Sequence, residues 1–462
     1  MMYNLSYKEN KNLANLLPLI DEVYVKSVIS TDESIKKKKK QPKLQQKAAD
    51  KKLPNFQNSL REHWGDWYLP LISFQNNLEK FKRKLPSFYK VKGIGFGVYL
   101  EQATSEIIAK WKAKQFAAKT MVSLTGGLGV DDWAWASSSC EVYSFDPNES
   151  LNFWSTLNFD RLGVANKIQR ISQTAEWALE NWDQWQSHKV VDVIYIDPDR
   201  RPTINSNNST SRIATDVNQY LPNVFELYQK HKEKAHQWII KLSPMVDIHW
   251  FQKHIGVSVK AYSVCSGKEV KEILVVLAGL ETHITEDSIE KEMVNISESS
   301  AELFSQFYSK ANSVERLTNE TVATINTELQ LNPNTSEGSE IKSELPFIFE
   351  PHAGLFAMGL NRLLSALPGV ETRGNYSFFI TPVPWPKTMG RTLITKHVFT
   401  GSLREIGRKL KEKNLLNTTI TARNCGIKTA DLIKQLGTKE NHLQHGFMYK
   451  DELGFTLYIG VI

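Results

Sequence analysis

The chain has 462 residues, 41% hydrophobic and 23% charged, which fits a packed globular protein of about two to four domains and excludes a disordered or fibrous one. Its longest apolar run near a strand signal, Ile273–Leu280, is far short of the roughly 20 residues of a bilayer-spanning helix, and its first 20 residues lack a signal-peptide pattern. Cys140, Cys265 and Cys425 are too few and too scattered for a disulfide framework or a zinc site, so a reducing, cytoplasmic setting with no metal and no membrane is expected.

The net charge of +7 is unevenly spread. Glu281–Glu344 holds 13 acidic and 4 basic residues, so the rest of the chain carries about +16. Lys36–Lys52 has nine lysines against one aspartate, and Gly390–Ile462 has 12 Lys and Arg against 6 Asp and Glu. Excess cation outside one acidic stretch points to a polyanionic partner. The Lys36 run, without aromatic neighbours, equally reads as solvated surface.

In chain order, residues 1–90 read as a helical region with a lysine-rich loop. Trp64, Trp67, Leu69, Leu71, Phe74, Leu78 and Phe81 are expected to form its packing face. Leu100–Phe116 predicts one helix with Leu100, Ala103, Ile107 and Trp111 on one side. From Met121 strands and helices alternate. The strands are Met121–Leu124, Glu141–Phe145, Val190–Ile196, Trp238–Leu242, Ser258–Ser263 and Ile273–Ala278; the helices are Glu149–Leu162, Ala175–Gln186 and Val217–Lys234. This predicts an α/β fold with a mostly parallel, Rossmann-like sheet, its last two strands forming an antiparallel hairpin.

Residues 281–344, acidic and rich in Ser, Thr and Asn, read as an insertion or linker with little core, including a helical piece at Ser300–Ser309. Residues 345–389 predict strand, helix (Gly354–Leu367) and strand, closed by the proline-rich stretch Thr381–Pro386. Residues 390–462 alternate strand and helix again as a small α+β domain. The expected division is therefore 1–90, 91–280, 281–344, 345–389 and 390–462.

Three strand ends carry the chemistry. Thr125-Gly126-Gly127-Leu128-Gly129 follows a strand and precedes a helix, where missing Cβ atoms permit a tight turn and the close approach of a ligand. GGLG lacks the GxGxxG spacing of a dinucleotide site, so it suits a ligand without phosphates resting on the loop. Asp146 closes the second strand, where a carboxylate can accept both hydroxyls of a ribose; capping the next helix is the alternative. Asp197-Pro198-Asp199-Arg200-Arg201 ends the most apolar strand and faces the ligand crevice of such a sheet. Its aspartates and carbonyls can accept from an amino group; Arg200 either clamps phosphate or pairs with its acidic neighbours or solvent, and Arg201 is expected to do the latter. Lys241, Ser243 and Pro244 end the next strand as candidates for substrate contact.

These residues carry a resemblance. KLPSFY (84–89), LEQATSEIIAKWKA (100–113), SLTGGLGVD (123–131), YIDPDRR (195–201), KLSPMVDI (241–248), KEVKEIL (268–274), FEPHAGLFAMG (349–359) and TITARNCGIKTADLIKQL (418–436) together resemble one family. It is the bacterial class I S-adenosylmethionine-dependent methyltransferases that carry a ferredoxin-like domain and a C-terminal THUMP-like domain. The resemblance covers about residues 84–280 and 345–462. It implies a Rossmann-like methyltransferase domain at 91–280, a ferredoxin-like domain at 345–389 and a THUMP-like domain at 390–462. It implies S-adenosyl-L-methionine as cofactor and RNA, tRNA or rRNA, as the partner methylated on a base. Thr125, Gly126, Gly127, Leu128, Gly129, Asp146 and Thr174 would hold the cofactor, and Asp197, Pro198, Asp199 and Arg200 would face the acceptor. Ser123, Thr174 and Asp199 depart from the family pattern, which keeps a second reading open: an RNA-binding protein on this fold without catalysis.

Overall fold

The computed structural model describes residues 18–24, 68–95, 97–199, 220–267, 269–279, 289–296, 347–366, 369–382, 390–440, 443–452 and 454–462, with a few isolated positions besides. The lysine-rich run at 36–52, most of the acidic stretch, and Arg200 and Arg201 lie outside these residues. The chain divides into two compact units, one of residues 1–214, 218–241 and 278–282, the other of 215–217, 242–277 and 283–462.

After a helical segment at residues 18–24, the first unit has helices α1 (Tyr68–Lys84) and α2 (Pro86–Lys90). Leu71, Phe74, Leu78 and Phe81 of α1 are buried, as their spacing of three and four predicts. The single helix expected over 100–116 is two, α3 (Gly97–Gln102) and α4 (Glu106–Gln115). The break has a local cause. Ser105 adopts an extended ψ of 148° as the cap of α4, and the Thr104 hydroxyl donates to Asp131 Oδ2 at 2.8 Å.

The unit's sheet contains β1 (Thr120–Ser123), β2 (Glu141–Phe145), β3 (Ile168–Ile171), β4 (Val191–Ile196) and β5 (Ala235–Leu242). Their order is β3-β2-β1-β4-β5, and every pairing is parallel. Helices α5 (Val130–Ser137), α6 (Glu149–Arg161), α7 (Ala175–Glu180), α8 (Trp182–Trp185) and α9 (Val224–His231) fall between successive strands. Long apolar runs explain the burial: every residue of β4 except Asp192 is buried, as strands covered on both faces require. β3 escaped the sequence reading. Its four residues, Ile168-Gln169-Arg170-Ile171, are too few for a periodic signal and include a charge. The predicted helix Ala175–Gln186 is interrupted at Asn181, and α9 is shorter than the predicted Val217–Lys234. The strand order reverses between β1 and β4, which places the sheet's switch point, and hence its crevice, at the carboxyl ends of those two strands.

In the second unit α10 (Ile248–Ile255) precedes β6 (Val259–Ser266) and β7 (Glu269–Ala278), the expected antiparallel pair. The acidic stretch departs from expectation. Residues Ile289–Asn295 form β8, parallel to β6 over seven positions, and Phe304–Ser305 form β9 rather than part of a helix. Met293, Val294 and Ile296 are buried, so these few apolar residues outweigh the acidic composition around them.

A seven-stranded sheet follows, made of β10 (Phe347–Pro351), β11 (Glu371–Arg373), β12 (Phe378–Thr381), β13 (Gly390–Gly401), β14 (Thr419–Ala422), β15 (His445–Asp451) and β16 (Gly454–Val461). Its order is β11-β12-β10-β13-β16-β15-β14. Phe378 of β12 stacks on Phe447 of β15 with ring centroids 5.2 Å apart, although three strands separate them in that order, so the sheet is strongly curled. The predicted helix Gly354–Leu367 is a short α11 (Ala353–Ala357) and a 3-10 turn at Leu360–Ala366. Helices α12 (Leu403–Glu412) and α13 (Thr429–Leu436) bury Leu403, Ile406, Leu410, Leu432 and Leu436 in one core with Met448, Leu457 and Ile459. A capping box between Ser402 and Glu405 starts α12.

Candidate active site

A cavity of about 520 Å³ opens in the first unit at the carboxyl ends of β1, β2, β4 and β5. Thr125 to Gly129, Asp146, Thr174, Asp197, Pro198, Asp199 and Lys241 all line it. Ser243 and Pro244 do not line it; Ser243 is buried and its hydroxyl accepts from the Met245 amide. Residues the sequence reading missed also line it: Tyr99, Asp131, Asp132 and Glu176.

The glycine loop is shaped from below as much as from the cavity. A Cβ at Gly126 would collide with the Arg170 guanidinium and Ser144 Oγ, and one at Gly129 with the Phe159 ring. Those two glycines make room for the protein's own side chains. Gly127 is different. With φ at +54° it is left-handed, and a Cβ there would meet nothing nearer than Thr125 O at 3.9 Å, so its outer face is open to a ligand.

Asp146 is not the cap of α6; Asn148 is, accepting from Leu151 N at 3.0 Å. Asp146 instead receives the Gly127 N–H on Oδ2 and the Asn148 N–H on Oδ1, each at 2.9 Å. A carboxylate offers about four acceptor positions, so these two bonds fix its plane and leave capacity for hydroxyls. Thr174 caps α7, accepting from Trp177 N at 3.2 Å.

On the β4 side, Asp197 N donates to Thr125 Oγ1 at 2.6 Å, which ties the Asp-Pro turn to the glycine loop. The Asp197 carboxylate meets Lys241 Nζ at 2.6 Å. Asp199 exchanges backbone hydrogen bonds with Leu221, and Leu221 is 57% exposed at the rim. Beneath lies a buried polar group. Lys112, fully buried, sits 2.8 Å from Asp131 Oδ1 and donates to the Tyr195 hydroxyl at 2.8 Å. Burial alone would raise the Asp131 carboxyl, but the ammonium groups of Lys112 and Lys241, with hydrogen bonds from Lys112 and Thr104, hold it below the usual carboxylate range. Asp132 goes the other way: burial pushes its carboxyl up, and Arg170 and Ser144 offset only part of that.

Among the described residues no group of three or more His, Cys, Asp or Glu could hold a metal ion, and no helix is long and apolar enough to cross a membrane. All three cysteines are buried thiols; burial pushes Cys140 and Cys265 up to about 12, which makes them poor nucleophiles.

No family model matches the chain, and no curated protein matches it. Solved structures do. A Porphyromonas gingivalis W83 protein described as a candidate methyltransferase superposes over 86% of this chain and 90% of its own, with a TM-score of 0.63 at 17% identity. An rRNA methylase from Streptococcus thermophilus matches 38% of this chain and 95% of its own, with a TM-score of 0.27 at 16% identity. An O-methyltransferase from Bacillus cereus, in complex with SAH, matches 43% of this chain and 96% of its own, with a TM-score of 0.31 at 14% identity. By the first of these likenesses, together with its parallel sheet and switch-point cavity, the chain has a Rossmann-like α/β fold that it shares with that protein.

Proposed function

We propose that this chain is an S-adenosylmethionine-dependent methyltransferase that modifies a base of RNA, either tRNA or rRNA. The observation that carries the proposal is Asp146. Its carboxylate is fixed at the end of β2 by the Gly127 and Asn148 amides, across the same cavity as Asp197-Pro198. The residues fit the cofactor. Asp146 has acceptor capacity for a ribose, Gly127 presents open backbone beside it, and a cavity of about 520 Å³ is of ordinary ligand-binding size. Leu128 and Pro198 contribute apolar wall.

When bound, the cofactor supplies an electrophilic methyl group on a sulfonium. The chain's part is to align the acceptor and keep water out. Asp197 and Asp199 border the cavity as the acceptors for a base amino group in this scheme, with Pro198 as an apolar neighbour. Lys241 holds the Asp197 side chain in one place. Arg200, outside the described residues, would serve phosphate in this scheme. Support for RNA comes from charge: Arg404, Arg408, Lys411, Lys428 and Lys434 are exposed on or beside α12 and α13, in the part read as THUMP-like, and such a surface favours a phosphate backbone. A cytoplasmic setting belongs to the same proposal.

The test is transfer of labelled methyl groups from S-adenosylmethionine to RNA taken from cells lacking the protein, with calorimetric titration of the cofactor alongside. Saturable binding and incorporation into RNA support the proposal. Binding without incorporation removes RNA as the substrate, and no binding at millimolar ligand removes the cofactor.

A further inference from the structure

The Arg170 side chain of β3 is 4% exposed, and each of its three nitrogens donates within the cavity's floor. Nε donates to Asn152 Oδ1 at 2.6 Å, and Nη1 to Asp132 Oδ2 at 3.0 Å and Ser144 Oγ at 2.7 Å. Nη2 donates to the Gly127 carbonyl at 2.7 Å and lies 3.9 Å from Asp146 Oδ2. The Gly127 residue is thus gripped at both ends, its N–H by Asp146 and its C=O by Arg170, with Ser155 Oγ adding a bond to that carbonyl at 3.1 Å. The guanidinium occupies the space that a Cβ at Gly126 would need.

We infer that Arg170 is the positioning residue of the sugar subsite: by fixing the left-handed Gly127 from below, it sets the face of Asp146 that receives the two hydroxyls of an adenosine ribose. The inference rests on the proposed reading of the cavity. Arg170 touches no ligand in this scheme; it acts through Gly127 and Asp146. A planar fork with five donors is required, because a lysine can reach one or two of these partners but not the set. It follows that Gly126 is glycine for the sake of Arg170 and not for the ligand.

The experiment titrates the full-length chain with S-adenosylhomocysteine, adenosine and 2′,3′-dideoxyadenosine, for the wild type, Arg170→Lys, Gly126→Ala and the double variant, with thermal melts alongside. The expected result is that Arg170→Lys weakens S-adenosylhomocysteine and adenosine roughly tenfold or more, the size of a lost charge-assisted hydrogen bond, while dideoxyadenosine is unchanged. Preference for the hydroxyls collapses, an effect that general loosening of the fold would not produce. Gly126→Ala, which displaces the guanidinium, gives the same collapse, and in the Arg170→Lys background it adds nothing, since both act through one interaction. If Arg170→Lys does not fold, the ratio of the two nucleosides for Gly126→Ala decides alone. Wild-type selectivity retained in a folded variant overturns the inference and leaves the proposed function standing. A wild type that binds none of the three ligands overturns the reading of the cavity, and the inference with it.

Discussion

The Lys241 ammonium lies 2.6 Å from Asp197 Oδ2, at the end of β5 and the end of β4 respectively. The pair is partly exposed to the cavity, with side-chain exposures of 14% and 35%, so it presents an oriented carboxylate to whatever enters. The aspartate of the Asp-Pro turn is accordingly an acceptor in a fixed direction rather than a mobile charge.

Replacing Lys241 by methionine releases that direction without touching Asp146 or Gly127. Cofactor affinity should stay within about threefold of wild type, while methyl transfer falls by roughly 100-fold, because orientation matters at the transition state and not in cofactor binding. Calorimetry and single-turnover transfer, measured on the same preparation, separate the two effects. Equal losses in both would place Lys241 in the cofactor subsite instead.

Asp146→Ala removes the acceptor of two backbone amides as well as the proposed ribose contact. Affinity for S-adenosylhomocysteine should drop by roughly tenfold or more, with a thermal midpoint only a few degrees lower. Unchanged affinity would mean that the ligand lies elsewhere in the cavity.

The pair of Lys112 and Asp131 is a stability element. Lys112→Met leaves a buried carboxylate without its nearest cation and should cost about 3–5 kcal/mol, read from denaturant unfolding. The pH dependence has a definite sign. The folded Asp131 carboxyl lies below its ordinary value, so its contribution is fully present above the unfolded value near 3.9 and is lost as pH falls through the folded one. Wild type should therefore lose stability below about pH 4 more steeply than Asp131→Asn. Identical acid limbs for the two proteins would exclude this group as a cause.

Met293→Ala tests whether the acidic stretch contributes core. Met293 is 3% exposed on β8, and a Cβ added at Gly354 would meet its side chain at 2.6 Å. Truncation should cost about 2–5 kcal/mol by cavity formation. A change under about 0.5 kcal/mol, the usual size for a surface substitution, would mean that β8 packs loosely.

Much of the fold was legible in the sequence because burial and periodicity are local signals. The runs at 121–124, 141–145, 190–196 and 238–242 are strands because apolar residues in short runs between turns have nowhere else to go, and the order of their strand-end residues marked the crevice. Asp146, Thr125 and Asp197 were readable for that reason. Arg170 was not, since a single charge in a four-residue strand looks like an exposed edge until β3 is seen beside β2. Lys112 sits in sequence between Lys110 and Lys114, and only the break at Ala103–Ser105 and the packing of Tyr195 reveal that it is buried. β8 was hidden by composition, because Glu290, Lys291 and Glu292 interrupt its short apolar pattern.

The sequence by itself determined the alternation of strand and helix, the glycine turn, and the acidic residues at strand ends, because backbone sterics and hydrophobic periodicity act over a few residues. Tertiary structure alone decided what surrounds each glycine, in which direction the Asp131 and Asp132 carboxyls shift, and which cations sit beneath the cavity. Those depend on distances between residues dozens of positions apart, and no local pattern encodes the desolvation and ion pairing that arise when such residues meet.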